Sequence, residues 1–208
     1  MTTTSARTTR ALSALCCAIV LILAVSACGS DDAAAPTSAT KHSDADVTFA
    51  SDMLRHHAQA LSMVDLTLGR PLDPEVERLA EDIRAAQSPE IETMSDWLTE
   101  WDVEVPETVR DHANAGHDME GMGDSMEGMD ADAPGMMSAE DMSALETASD
   151  AAFQTRWLEL MIEHHQGAVE MAEAEKSDGR YRPAVELAES IIDSQQAEIE
   201  EMEKLLGR

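Results

Sequence analysis

An all-α fold, an up-down four-helix bundle made of two copies of one helical hairpin, is what this sequence predicts. Three observations carry that expectation. The first is an internal repeat. Met53-x-x-His56-His57-x-x-Ala60-x-x-Met63 returns as Met161-x-x-His164-His165-x-x-Ala168-x-x-Met171. Leu79-Ala80-Glu81-x-Ile83-x-x-x-Gln87-x-x-Glu90-Ile91-Glu92-x-Met94 returns as Leu187-Ala188-Glu189-x-Ile191-x-x-x-Gln195-x-x-Glu198-Ile199-Glu200-x-Met202. Both matches hold at one ungapped offset of 108 residues, with 14 of 42 positions identical, and a unit of this length used twice is a supersecondary element. The second observation is helical spacing: Val47, Phe49, Met53, Ala60, Val64 and Leu68 lie on one face of a helix. The third is composition. Only 3% of residues are aromatic and little of the chain alternates as strands do.

The elements follow in order. Residues 1–27 read as a removable leader: Arg7 and Arg10 precede an apolar run over 11–25, and Val25-Ser26-Ala27-Cys28 follows. A cysteine directly after small residues resembles the bacterial lipobox, so Cys28 is the expected lipidation site. A plain signal peptide or an uncleaved anchor fits the same run. Residues 28–43 form the expected flexible tether of a lipid-anchored protein. A first hairpin is expected over 44–101. Its first helix is capped by Ser43 and reaches Leu68, Gly69-Arg70-Pro71 breaks it, and Asp73 caps a second helix with Pro74 at its first position. Ser88-Pro89 is expected to kink that second helix or restart it. Residues 102–137 shift in composition toward glycine, acid and methionine and read as a long, poorly ordered linker. A second hairpin is expected over 138–208, completing one bundle domain with 44–101. Ser138 opens a short helix, Ser149 caps a longer one to about Lys176, and Pro183 opens the last, ending near Leu206. The long linker lets the second hairpin cross over the first, as in ferritin-like folds.

Charge narrows the partners. The chain carries a formal net charge of −28. The leader holds basic residues and no acids, so the remainder is more acidic still. Nucleic acid and anionic lipid heads make poor partners for such a surface, and cations make good ones; contact with the membrane is expected only through the N-terminal lipid. Cys16 and Cys17 leave with the leader and Cys28 is taken by the anchor, so any metal site must do without thiolate.

The repeat keeps polar residues on inward faces. At about 100° per residue, His56 and His57 straddle the stripe centred on Met53, and His164 and His165 straddle that of Met161. Gln87, Glu90 and Met94 fall within about 40° of Ile83, as Gln195, Glu198 and Met202 do of Ile191. Equal helical rise on either side of each turn places His57 level with Gln87, Met53 with Glu90, His165 with Gln195 and Met161 with Glu198. An ionised Glu buried without a partner is costly. A protonated His, or a metal ligated by that His with the Glu behind it, satisfies it. Candidate ligands are therefore Met53, His56, His57, Met63, Met161, His164, His165 and Met171, supported from behind by Gln87, Glu90, Met94, Gln195, Glu198 and Met202.

The metal is expected to be soft. Ferritin-type di-iron bundles use Glu-x-x-His on inward faces, whereas here Met stands three residues before the first His in both copies. A thioether in place of a carboxylate moves preference from iron to copper, as Cu(I) rather than Cu(II), with silver as its surrogate. The linker agrees. Asp118-Met119-Glu120-Gly121-Met122 and Ser125-Met126-Glu127-Gly128-Met129 are near-copies, and six of the 14 methionines lie between Met119 and Met137. With His112 and His117 they form a second candidate set: His112, His117, Met119, Met122, Met126 and Met129. Low-complexity drift, or a sacrificial target for oxidants, would account for these methionines as well.

These motifs resemble the domain-of-unknown-function 305 family, a ferritin-like helical group, over about residues 44–206, and Met161-Ile-Glu-His164-His165-Gln-Gly-Ala168-Val-Glu-Met171 is the closest string. The family includes periplasmic copper-binding proteins of the CopM type. The resemblance implies an envelope protein that sequesters, transfers or resists copper, with a copper-exporting or copper-receiving envelope protein as partner. Two other readings stand beside it. One is a structural or interaction bundle whose His–Glu pairs bind no metal. The other is a ferritin-like oxidase, which the absence of the Glu-x-x-His pattern disfavours.

Overall fold

The computed structural model describes residues 37–110 and 133–207. Among them are five helices and no strand: α1 (Asp44–Asp65), α2 (Pro74–Glu100), α3 (Ala139–Glu146), α4 (Asp150–Asp178) and α5 (Arg182–Leu205). They pack as a helical bundle: α1 lies against α2, α4 against α5, α1 joins the pairs through α4, and α3 rests on α4. None of these helices is long and apolar enough to cross a membrane.

The helix starts follow from the local sequence. Ser43 caps α1, and its backbone N–H donates to Asp46 Oδ2 at 2.6 Å. Asp73 caps α2 with Pro74 at the first position, where the missing N–H costs nothing. The Ser138 hydroxyl accepts the Asp141 N–H and so opens α3. α1 ends at Asp65, short of the expected Leu68, because the Thr67 hydroxyl takes the Val64 carbonyl and Leu68 turns out to solvent.

Pro89 does not restart α2, which runs unbroken from Pro74 to Glu100. Proline's own φ suits a helix; it removes one N–H and crowds one carbonyl. The buried face of Ile83, Gln87, Met94 and Leu98 holds the helix together across that defect. Pro89→Ala is accordingly expected to raise stability by roughly 1–3 kcal/mol, as a higher denaturant midpoint with unchanged slope.

Two stretches expected to be loose carry specific bonds. Ser38 pairs with the turn before α5, donating to the Arg180 carbonyl at 2.6 Å and accepting from the Arg182 N–H at 2.8 Å. Within 102–137, the Val103 N–H returns to the Leu98 carbonyl, Arg110 reaches Asp65, and Met137 is buried. The linker histidines and methionines from His112 to Met129, and Cys28, lie outside the described residues.

The apolar core is in two parts. One holds Met63, Ile83, Phe153, Trp157, Met161 and Met202. The other holds Phe49, Met53, Met94, Leu98, Ala172 and Ile191. The histidine motifs fall at the boundary between them.

Candidate metal centre

Each histidine pair sits mid-helix with Met one turn before it, and the inward helix face carries all four rings into the interior. His56, His57 and His165 have no exposed surface and His164 has 1%. His56 of α1 meets His164 of α4, with ring centroids 3.7 Å apart and planes tilted by 39°. His57 Nε2–H donates to Glu90 Oε2 at 2.6 Å, and His165 Nε2–H donates to Glu198 Oε2 at the same 2.6 Å. The two copies of the repeat therefore place the same pair in the same geometry on either side of the His56–His164 contact.

These bonds correct the expected register by about one turn: His57 meets Glu90, not Gln87, and His165 meets Glu198, not Gln195. The connections cause the shift. Asp65, the last residue of α1, pairs with Arg84 rather than with the start of α2, so the chain climbs past the end of α1 before reversing. In the register the bonds set, Met53 is level with Met94 and Met161 with Met202, not with the glutamates. Met53 and Met94 share one core cluster and Met161 and Met202 share the other, so a methionine pair bounds the histidine layer on each side. Met63 and Met171 lie two turns beyond the histidines, about 10 Å of rise. Met63 is core packing near Trp157, whose indole N–H donates to the Met63 carbonyl. Met171 lines a cavity of about 330 Å³ with Phe49 and Glu175.

The ring nitrogens decide what the layer can do. A neutral imidazole has one N–H and one bare nitrogen. The Pro134 carbonyl accepts from His56 Nε2–H at 3.1 Å, so the bare atom of that ring is Nδ1. His57 and His165, with Nε2–H committed to carboxylates, likewise turn Nδ1 elsewhere. The buried Nδ1 atoms of His56, His57 and His165 and Nε2 of His164 all lack a hydrogen-bond partner, as do both amide atoms of Gln87 and Oε1 of Gln195. Burial, reinforced by the His57 and His165 rings, brings the pKa of His56 down to about 3. Burial, with His56 next in weight, brings His164 well below its ordinary value. Both rings are neutral at physiological pH and hold unshared lone pairs in the core. A concentration of unsatisfied polar atoms at one level of a bundle is expensive for folding alone. Among the described residues no three of His, Cys, Asp and Glu are placed to enclose a metal ion.

Sequence reasoning missed four residues. Pro134 and Gln59 fasten the end of the linker over His56; Gln59 exchanges two bonds with the Met137 backbone, at 2.7 and 2.9 Å. Asp46 and Glu175 form a buried acid pair outside the histidine layer. Glu175 was visible in principle, since it continues the inward stripe of Met161, Ala168 and Ala172.

The model of a domain of unknown function, DUF305, matches residues 46–206. The chain belongs to the DUF305 family. Both histidine pairs and both glutamates lie inside the matched DUF305 span, and Cys28 lies outside it. A DUF305 fragment from Deinococcus radiodurans is similar at 30% identity and TM-score 0.64, over 80% of this chain and 98% of that one. A DUF305 protein from Streptomyces coelicolor described as secreted is similar at 32% identity and TM-score 0.64, over 78% and 92%. CopM in the Cu(I)-bound form is similar at 28% identity and TM-score 0.58, over 77% and 94%. CopM is also known in Cu(II)-bound and Ag-bound forms. No curated protein sequence matches this DUF305 chain.

Proposed function

We propose that this DUF305 chain is a cell-envelope lipoprotein, anchored through Cys28, that binds Cu(I) inside a ferritin-like four-helix bundle duplicated from one hairpin. Its role on this reading is to sequester copper, pass it on or confer resistance to it. The observation that carries the reading is the layer of four buried histidines with unpartnered ring nitrogens, bounded by two methionine pairs. Similarity to CopM, a protein known with Cu(I), Cu(II) and Ag bound, supports the choice of metal.

His56 Nδ1 and His164 Nε2 would supply the nitrogen donors, and Met53 and Met161, each one turn from a histidine pair, the thioethers. Cu(I) is satisfied by few, soft ligands, which suits a layer without a ready-made cage of nitrogen and oxygen donors. Glu90 and Glu198 hold the tautomers of His57 and His165, as outer carboxylates do behind metal-bound imidazoles. The linker set His112, His117, Met119, Met122, Met126 and Met129 would serve as a separate capture site.

The test is a competition titration against a chromophoric Cu(I) chelator, using the full chain and a form with Met119, Met122, Met126 and Met129 changed to Leu. At least one tight equivalent is expected to survive in the Leu form, and Ag(I) is expected to raise its melting temperature. A bundle that binds no metal would show neither, and its His–Glu pairs would then be register-fixing contacts only.

A further inference from the structure

The repeat is symmetric at its histidines, glutamates and methionines, and it breaks symmetry at one face of the layer. Position 59 of the first copy corresponds to position 167 of the second, at the same offset of 108. The first is Gln59 and the second is Gly167. The segment Pro134–Met137 lies over both. Gln59 grips the Met137 backbone from one side, with its amide donating to the carbonyl and accepting the N–H. Gly167 makes room from the other side: a Cβ there would stand 2.0 Å from the Pro134 carbonyl oxygen, closer than any real contact allows. Gly135, at φ 73°, returns the fit, since a Cβ on it would stand 2.6 Å from the Glu163 carbonyl. Met137 enters the core cluster that holds Met161 and Met202. The result is that the Pro134 carbonyl reaches His56 Nε2, while the adjoining ring of His164 has no partner on Nε2.

We infer that Pro134–Met137 is a positioning strap for the metal layer: its Pro134 carbonyl holds the proton of His56 on Nε2 and so presents Nδ1 to the metal, and Gln59 and Gly167 are the residues that seat it. The inference rests on the copper reading above for its functional consequence, but its structural half stands on the metal-free protein. An imidazole with no acceptor on either nitrogen interconverts between tautomers and ring orientations. One with a fixed acceptor offers a single nitrogen in a single direction. The strap therefore makes the two halves of a duplicated site unequal: Nε2 of His56 is held by the Pro134 carbonyl, and Nε2 of His164 has no such partner.

The test compares Gly167→Ala and Gln59→Leu with the parent chain. Alanine favours the helix interior over glycine, so Gly167→Ala displaces the strap without weakening α4. Gln59→Leu removes the grip and leaves the seat, and serves if the first variant folds poorly. The direct readout is the ¹⁵N shift pattern of the His56 ring in metal-free protein, assigned by its loss in His56→Gln. The parent is expected to show protonation at Nε2 alone, and the variants a mixture. Cu(I) affinity is expected to fall roughly 10–100-fold, the effect typical of losing an outer partner of a ligating histidine. A His56 ring that stays protonated at Nε2 in both variants, or Cu(I) affinities within about twofold of the parent, overturns the inference. A parent that shows the Nε2-protonated ring and takes up no Cu(I) removes the copper reading and leaves the strap's hold on His56 standing.

Discussion

Replacing His164 by leucine is expected to lower Cu(I) affinity about a hundredfold or more, beyond the loss typical of an outer partner, while the melting temperature of the metal-free chain stays level or rises. The two halves of that result pull against each other, and this makes it diagnostic. His164 has 1% of its surface exposed, its Nε2 has no hydrogen-bond partner, and its contact with His56 is between two neutral rings. A buried polar atom without a partner costs about 1–3 kcal/mol, and leucine of similar volume ends that cost without leaving a cavity. Stability alone therefore gives no reason for histidine at this position. His56→Leu is the informative contrast, because it strands the Pro134 carbonyl and is expected to cost stability as well as affinity. Chemical denaturation of both metal-free variants, beside the chelator titration, checks the pair of expectations. A His164→Leu chain that unfolds more easily and still binds Cu(I) like the parent would sink the ligand assignment and leave the histidines as structural contacts.

What the sequence made legible, and what it hid, divides along a physical line. The helices, their caps and the inward set of His, Glu, Gln and Met were readable because they depend on periodicity within a single element. Met53 and His57 share a face whatever the rest of the chain does. The levels across helices were not readable to better than a turn. The path of a connection such as 66–73 depends on turn geometry and on the Asp65–Arg84 contact rather than on residue count. That one-turn shift moved Glu90 from Met53 to His57 and turned it from a neighbour of the layer into the group that fixes a ring proton. It also separated Met63 and Met171 from the layer, although the linear motif sets them beside the histidines. The strap was hidden for another reason. Nothing local marks Pro134 as a partner of a residue 78 positions earlier. The only trace was Gly167 in the middle of a helix, a costly choice that close approach of another backbone explains.

Glu175→Gln is expected to flatten the alkaline fall in stability expected of the parent chain between about pH 7 and 9. Glu175 has 2% of its surface exposed at the end of α4 and faces Asp46 in the first turn of α1. Burial, then the adjoining carboxyl of Asp46, with Asp178 contributing, raises its pKa to about 9. Burial also pushes Asp46 upward, but bonds from the Ser43 hydroxyl and N–H and from the Tyr181 N–H outweigh it and hold Asp46 below its ordinary value. The proton of the pair thus resides on Glu175, and the pair joins the start of α1 to the turn between α4 and α5, where Asp46 also accepts the Arg180 N–H. The sign follows from the folded chain holding that proton more tightly than the unfolded one. The stabilisation from Glu175 is complete below about pH 4.5, declines as pH rises, and is gone above about pH 9. Asp46 works in the opposite sense, contributing above about pH 4 and failing as pH falls through its depressed folded value. Above about pH 7 ordinary carboxylates have finished ionising and lysine has not begun to lose its proton, so the window isolates Glu175. The parent is expected to lose roughly 5–10 °C of melting temperature across it. Glutamine keeps the shape and cannot ionise, so the variant is expected to stay level. Thermal melts at constant ionic strength decide the point, since at net charge −28 a change of salt alone would shift the curve. A variant that falls as steeply as the parent would place the alkaline weakness elsewhere in the chain and leave Asp46 and Glu175 without a proton to share.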